Sequence, residues 1–320
     1  MDNLNITPIT YMMCVYNEEN RIRYVLDHAV KWADEVVIHN KQSTDNTKKI
    51  CQEYGSKVKV IDIPFTMAGE EDNISLVNNA KNDWVFFSTA SEVPTAKLIE
   101  KVKELLLKTN GELDLIVVPR KMYSFGIHSS KSPWYIGKYP FLVNKTKAKI
   151  SNKIHQNFKP SDPENVGEIE YAEDCCVYHL THTSAESYLK MMTQYFSSEI
   201  KGDINGEEII KECFSNIRNS EKDLINGGPE LFGHYCAWQI YWLGTALFAW
   251  EKIRGLDVKK EYDNIRRDLL NKDWDTNYSI DYDVNKVKDL KEELKSFHVP
   301  PKGVFEKILA LIKNKFIRKL

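Results

Sequence analysis

No Gly-X-Gly-X-X-Gly run follows the first strand-like segment of this 320-residue chain; Tyr16-Asn17-Glu18-Glu19 stands there instead. That removes the phosphate-cradling fingerprint of a Rossmann-type oxidoreductase or methyltransferase. The six cysteines form no Cys-X-X-Cys pair and no zinc spacing. They read as free thiols packed as small apolar groups in a reducing cytoplasm. Cys175 and Cys176 read as neighbouring strand residues facing opposite ways. His28, His128, His234 and His298 also lack metal-ligand spacing and read as structural or surface residues. There is no excess of positive charge, the net being −2, so no nucleic-acid partner is expected. Met1 to Asn5 lack a basic region leading into an apolar run, and no signal peptide is expected. The longest apolar stretch, Leu231 to Trp250, is interrupted by His234 and Gln239. A bilayer span needs about 20 nearly uninterrupted apolar residues, so a packed core helix is favoured.

What is present is an alternation of strands and helices. Apolar, β-branched runs mark strands at Ile9 to Val15, Glu35 to His39, Lys57 to Asp62, Trp84 to Ser88 and Leu113 to Pro119. Helical spacing of Ile22, Leu26, Ala29 and Trp32 follows the first strand, with Asn17 as the expected N-cap. A second helix is expected from about Thr47 to Gly55 and a third from Thr95 to Lys108. Strands alternating with helices imply an α/β domain with a mostly parallel sheet covered on both faces. Such sheets bind ligands beyond the carboxyl ends of their strands, here after Val15, His39 and Ser88. Pro119 to Phe158 reads as an irregular, aromatic binding loop. From Ser184 the chain turns helical. The expected divisions are 1–183 for the α/β domain, 184–300 for a helical region and 301–320 for a basic amphipathic helix. In that last segment Phe305, Ile308, Leu309, Ile312, Phe316 and Leu320 share a face flanked by lysines and Arg318. It fits an anionic membrane surface or, equally, docking on the domain.

Tyr16-Asn17-Glu18-Glu19, Trp32-Ala33-Asp34-Glu35-Val36-Val37-Ile38 and Ser43-Thr44-Asp45-Asn46-Thr47 together resemble family 2 glycosyltransferases of the GT-A fold. The branch with lipopolysaccharide-core and similar cell-surface sugar transferases is the nearest in pattern. Weaker matches follow at Ala80 to Trp84, at Phe125-Gly126 and Trp134 in the acceptor-side loop, at Ile154-His155, and at His179 with Tyr188, Lys190 and Tyr195. The resemblance covers about residues 8 to 200. It implies a nucleoside-diphosphate sugar as donor and a glycan or lipid-linked acceptor. It implies work in the cytoplasm, at the inner face of the membrane if the last helix binds there. Carried over by position, the donor site comprises Cys14, Tyr16, Asn17, Asn40, Lys41, Asp72, Asn73, Thr89, Ala90 and Ser91. Arg120, Trp134 and His179 fall on the acceptor side. His155 and Gln156 occupy the catalytic position.

The charged stations of that family are altered. Its Asp-X-Asp metal grip is Thr89-Ala90-Ser91 here, two neutral hydroxyls where a divalent cation such as Mg or Mn needs anionic oxygen. Glu92 is the one acid left that could hold a weak metal site. Asn40 stands where the family usually has a base-reading Asp. Asp72-Asn73 replaces an Arg-Asn that helps with the diphosphate. His155-Gln156 replaces His-Glu, and Gln cannot take a proton at neutral pH. Two expectations follow. One is an inverting transferase with His155 as base and Lys41, Arg120 or Lys121 supplying the missing positive charge. The other is a non-catalytic glycosyltransferase-like sugar-binding or scaffold protein.

Overall fold

A computed structural model describes residues 7–66, 69–152, 158–199 and 205–271. His155 and Gln156, and the segment 301–320, lie outside the described residues. The chain forms two compact units, 1–188 and 189–320.

The first unit is built on strands β1 (Ile9–Val15), β2 (Glu35–Asn40), β3 (Val58–Asp62), β4 (Trp84–Phe87), β5 (Glu92–Pro94), β6 (Leu115–Ser124), β7 (Ile136–Asn144), β8 (Lys149–Ile150), β9 (Phe158–Lys159), β10 (Val166–Glu168) and β11 (Val177–Thr181). Nine of them form one sheet in the order β3-β2-β1-β4-β7-β6-β11-β5, with β10 on β6. β3, β2, β1 and β4 run parallel. β7 is inserted antiparallel between β4 and β6. β8 and β9 make a separate hairpin pair.

Side chains alternate across a strand, and β1 uses both sets. Ile9, Tyr11, Met13 and Val15 face a core closed by α1 (Ile22–Ala29), α2 (Thr47–Gln52) and α4 (Ala96–Lys108), through Ile22, Leu26, Cys51, Leu98 and Val102. Met12 faces the opposite core with Leu76 and Val77 of α3 (Asn73–Asn78). The sheet is therefore covered on both faces, an α/β fold with a mixed, mostly parallel sheet. The hydroxyl of Thr95 caps α4 by accepting from the Leu98 N–H at 3.3 Å.

Three local readings change. Asn17 is not an N-cap: α1 begins at Ile22, and Asn17 takes the left-handed conformation at φ 55°, which asparagine tolerates better than most residues. The fifth expected strand does not stop at Pro119 but continues to Ser124. Pro119 is accommodated near a register shift at Ile116/Val118, where the ladder is already irregular. Much of the expected irregular loop is β7, whose Gly137, Lys138 and Pro140 conceal its strand pattern.

In the second unit, α6 (Gly206–Gly227) and α7 (Phe232–Arg254) pack through Ile210, Cys213, Ala246 and Ala249; α5 (Ala185–Glu199) holds the division between the units and α8 (Val258–Asn271) follows α7. Gly244 lies against the Phe196 ring, with no room for a Cβ. The stretch read as a core helix is α7, with His234 and Tyr235 buried. No described helix is long and apolar enough to cross a membrane.

Candidate functional site

β2, β1 and β4 are adjacent, so their carboxyl ends gather the segments after Asn40, Val15 and Phe87. The first two are tied together. The Asn17 N–H donates to Ser43 Oγ at 3.0 Å, and Asn17 Oδ1 accepts the Thr44 N–H at 2.8 Å. The Glu18 N–H donates to Thr47 Oγ1, and the Glu19 N–H to Asp45 Oδ2 at 3.0 Å. Burial pushes the Asp45 carboxyl up, but hydrogen bonds from Thr47 and Glu19 outweigh it and hold it below the usual range. The motifs 16–19 and 43–47 are thus two sides of one loop pair. Tyr16 projects from it, exposed, with its ring edge-on to Phe65 at 4.7 Å. Cys14, in contrast, packs against the α3-side core.

Asn40 and Lys41 are buried at the end of β2. Lys41 Nζ is 2.8 Å from Asp72 Oδ2 and also reaches Thr66, whose hydroxyl donates to the same carboxylate. Asn73 Nδ2 donates to the Ser151 carbonyl at 3.2 Å, and the Ile74 N–H to Asn152 Oδ1 at 2.9 Å. Asp72-Asn73 therefore fixes the local backbone and neutralises Lys41.

After β4 the chain turns at Thr89-Ala90-Ser91. The Thr89 and Ser91 hydroxyls are 2.8 Å apart and bond to each other, while Ala90 is buried. Glu92 follows, buried, with Oε2 accepting the Thr89 N–H and Oε1 accepting from Arg120 Nη1, both at 3.1 Å. The Arg120 guanidinium lies over the Tyr139 ring, 3.5 Å from its centroid. His179, opposite Glu92 in the β5–β11 ladder, brings Nδ1 to 4.0 Å from Oε1. Burial pushes Glu92 above the ordinary carboxyl range, with Arg120 pulling the other way. Burial, then Arg120, pushes His179 well below the ordinary imidazole range, so it is neutral. Sequence reasoning separated Glu92, as metal candidate, from Arg120 and His179, on the acceptor side; the fold joins the three. Among the described residues no group of three His, Cys, Asp or Glu is arranged to hold a metal ion.

Trp134 sits elsewhere, in an aromatic nest with Phe125, His182 and Tyr188. Its ring is 5.0 Å from His182 and 6.4 Å from Tyr188, and Phe125 is 5.6 Å from His182. Phe125 and His182 both take positive φ, and the Phe125 N–H donates to the His182 carbonyl at 2.9 Å. Lys121 is paired with Glu173 and lies beside the rings of Tyr123 and Tyr178. All three cations proposed to replace a metal ion (Lys41, Arg120, Lys121) thus have a carboxylate partner.

Residues 10–158 match the family model described as Glycosyl transferase family 2. That match covers a little under half of the chain and shows what the first unit is similar to. The matched stretch contains the Asn17–Thr44 loop pair, the Thr89–Ser91 turn, Glu92 and Arg120. An uncharacterized glycosyltransferase of Rickettsia typhi is 25% identical over 218 residues, 66% of this chain and 71% of that protein. The crystal structure of S. aureus TarS 1–349 aligns over 78% of this chain and 92% of that chain, at 13% identity and a TM-score of 0.40. The same protein in complex with UDP aligns over the same shares at 12% identity and a TM-score of 0.39.

Sequence reasoning missed Phe65, Asp62 and Tyr139 as residues of these clusters. For Asp62 a signal was available: it is the last residue of a strand in a parallel sheet, at the ligand-facing end.

Proposed function

We propose that the first unit is a family 2 glycosyltransferase domain that transfers a sugar, with inversion, from a nucleoside-diphosphate donor to a hydroxyl of a cell-envelope or surface-glycan acceptor, without a divalent ion. The observation that carries the reading is the meeting of the Tyr16–Asn17 loop, the Ser43–Thr44 loop and the Thr89–Ser91 turn at the carboxyl ends of β1, β2 and β4. The residues there do not suit Mg or Mn: the Thr89 and Ser91 hydroxyls are neutral, and both Glu92 oxygens are engaged. Arg120 is the cation best suited to the diphosphate. A guanidinium carries five N–H donors, Glu92 engages Nη1, and the Arg120 side chain keeps 17% of its surface exposed. In the transfer, the acceptor oxygen attacks the anomeric carbon as the bond to the β-phosphate oxygen breaks, and that oxygen keeps the electron pair. The acceptor proton passes to His155, whose ordinary pKa lies near neutrality; Gln156 orients the acceptor by hydrogen bonding. Trp134 and its ring neighbours form the acceptor platform. The segment 301–320 holds the protein at an anionic inner membrane surface.

The test is transfer or donor hydrolysis with a panel of UDP- and GDP-sugars. Activity that persists in EDTA and disappears in His155→Ala supports the reading; activity strictly dependent on added metal overturns it. A second reading, a non-catalytic sugar-binding or scaffold protein, draws on the pairing of Lys41, Arg120 and Lys121 with carboxylates. Calorimetry separates the two, since a scaffold of this kind would bind no nucleotide sugar at all.

A further inference from the structure

The ends of β1, β2 and β3 stand side by side, with Val15, Asn40 and Asp62 as register partners across them. Strands are about 4.8 Å apart, so the three ends span roughly the width of a nucleobase. Beyond Asp62 the chain folds back over the end of β2. The Ile63 N–H donates to the Asn40 carbonyl at 3.0 Å, Thr66 receives Lys41 Nζ, and Phe65 meets Tyr16. Under this roof Asn40 is 2% exposed and Lys41 3%. The Asn40 amide is engaged as well: Nδ2 donates to Asp62 Oδ1 at 2.8 Å, and Oδ1 accepts the Ser43 N–H at 3.2 Å. A ligand at the strand ends meets other groups: the half-exposed Asp62 carboxylate and the rings of Tyr16 and Phe65, each 41% exposed.

We propose that Asp62 is the acceptor that reads the base of the donor nucleotide, with Tyr16 and Phe65 as its stacking wall and Asn40 as a positioning residue behind it. This rests on the nucleotide-donor reading above. A carboxylate offers about four lone-pair sites and no donor. Two are taken, by Asn40 Nδ2 on Oδ1 and Lys48 Nζ on Oδ2; the others remain for an N–H. The Asn40 hydrogen bond, and then Lys48, hold the Asp62 carboxyl below the usual range, so it is an acceptor only at neutral pH. The matching chemistry is a base with a ring N–H, N3–H of uracil or N1–H of guanine. Cytosine and adenine have no ring N–H there: they offer an exocyclic amino donor beside a ring lone pair that an anionic oxygen repels, so they lose the ring hydrogen bond. A site built around one hydrogen bond discriminates strongly, because the unmatched base leaves a polar group unpaired.

The experiment is calorimetric titration of the full chain with UDP, GDP, CDP and ADP. It is repeated with the ring-N-methylated form of whichever binds best, and with Asp62→Ala. UDP or GDP is expected to bind best, and N-methylation to weaken it about tenfold in the wild type, the size of one lost hydrogen bond to a charged group. In Asp62→Ala the parent nucleotide falls by a similar factor and the methylated form is unchanged, so the two converge. Asp62→Asn, which keeps the Asn40 contact, serves if the alanine variant does not fold; there the gap narrows. Tightest binding of CDP or ADP, or a gap that both variants leave intact, overturns the assignment while the donor reading stands. No nucleotide binding to the wild type sinks the donor reading, and the Asp62 assignment with it.

Discussion

Arg120 and Glu92 form a largely buried ion pair, Nη1 to Oε1 at 3.1 Å, beside the Thr89–Ser91 turn. The pair links β6 to β5, and the second Glu92 oxygen holds the backbone N–H of Thr89. Glu92, the acid expected as a weak metal candidate, thus also braces the Thr89–Ser91 turn.

Removing one member of a buried pair costs more than the pair contributes, because the other charge is stranded. Arg120→Ala is expected to destabilise the first unit by about 3–5 kcal/mol at neutral pH. The cost should depend on pH. The Glu92 pKa is already raised in the folded state, so its unfavourable contribution is absent below the ordinary carboxyl value of 4.5 and grows as pH rises through the folded value. Without Arg120 the folded value rises further. Urea unfolding near pH 4 and near pH 8 checks this; an equal cost at both would contradict the ionised state of Glu92.

His179 titrates in the opposite sense. Its folded pKa lies well below the ordinary 6.5, so it contributes stability above that value and loses it as pH falls towards the folded value. His179→Asn should remove this component. The stability difference between wild type and variant is expected to shrink steadily as pH is lowered from about 7 to about 5. His28 and His39 are shifted the same way in both proteins and cancel in the difference.

Thr89→Asp with Ser91→Asp places two carboxylates on the exposed turn, where the two hydroxyls are now 2.8 Å apart. Anionic oxygens are what a hard divalent cation needs. The double variant should bind manganese measurably by electron paramagnetic resonance, and the wild type should not. Equal binding by both would show that Glu92 alone serves as an anchor.

Asn17 makes its bonds to Ser43 and Thr44 from a left-handed backbone. Asn17→Gly keeps the backbone freedom and the N–H but loses the side-chain bond, at about 1 kcal/mol. Asn17→Ala adds the strain of positive φ, about 1–2 kcal/mol more. Thermal unfolding orders them, and identical melting temperatures for the two variants would remove the strain component.

Much of the α/β core could be read directly. Runs such as Ile9 to Val15 are apolar at every position but Thr10 because both faces of a central parallel strand are covered, and local pattern suffices to find them. β7 escaped because it is an antiparallel insertion whose Gly137 and Pro140 look like loop residues. Its strand character comes from pairing with β4 and β6, which no local window contains. Asn17 was misread for a related reason: an Asn before acidic residues is a good cap in isolation, and only the partner loop 43–47 explains its left-handed turn.

The sequence by itself determined the alternation of strands and helices, the motifs 16–19 and 43–47, and the neutral hydroxyls at positions 89 and 91. These are properties of residue type and short spacing. Tertiary structure alone decided what each charged side chain faces. It paired Glu92 with Arg120, Lys41 with Asp72 and Lys121 with Glu173, and it put Asn40 under a roof while leaving Asp62 at the rim. Electrostatic partners act over a few ångströms of space but 28, 31 and 52 positions of chain in these three pairings, so the sheet order fixes them and the local sequence does not.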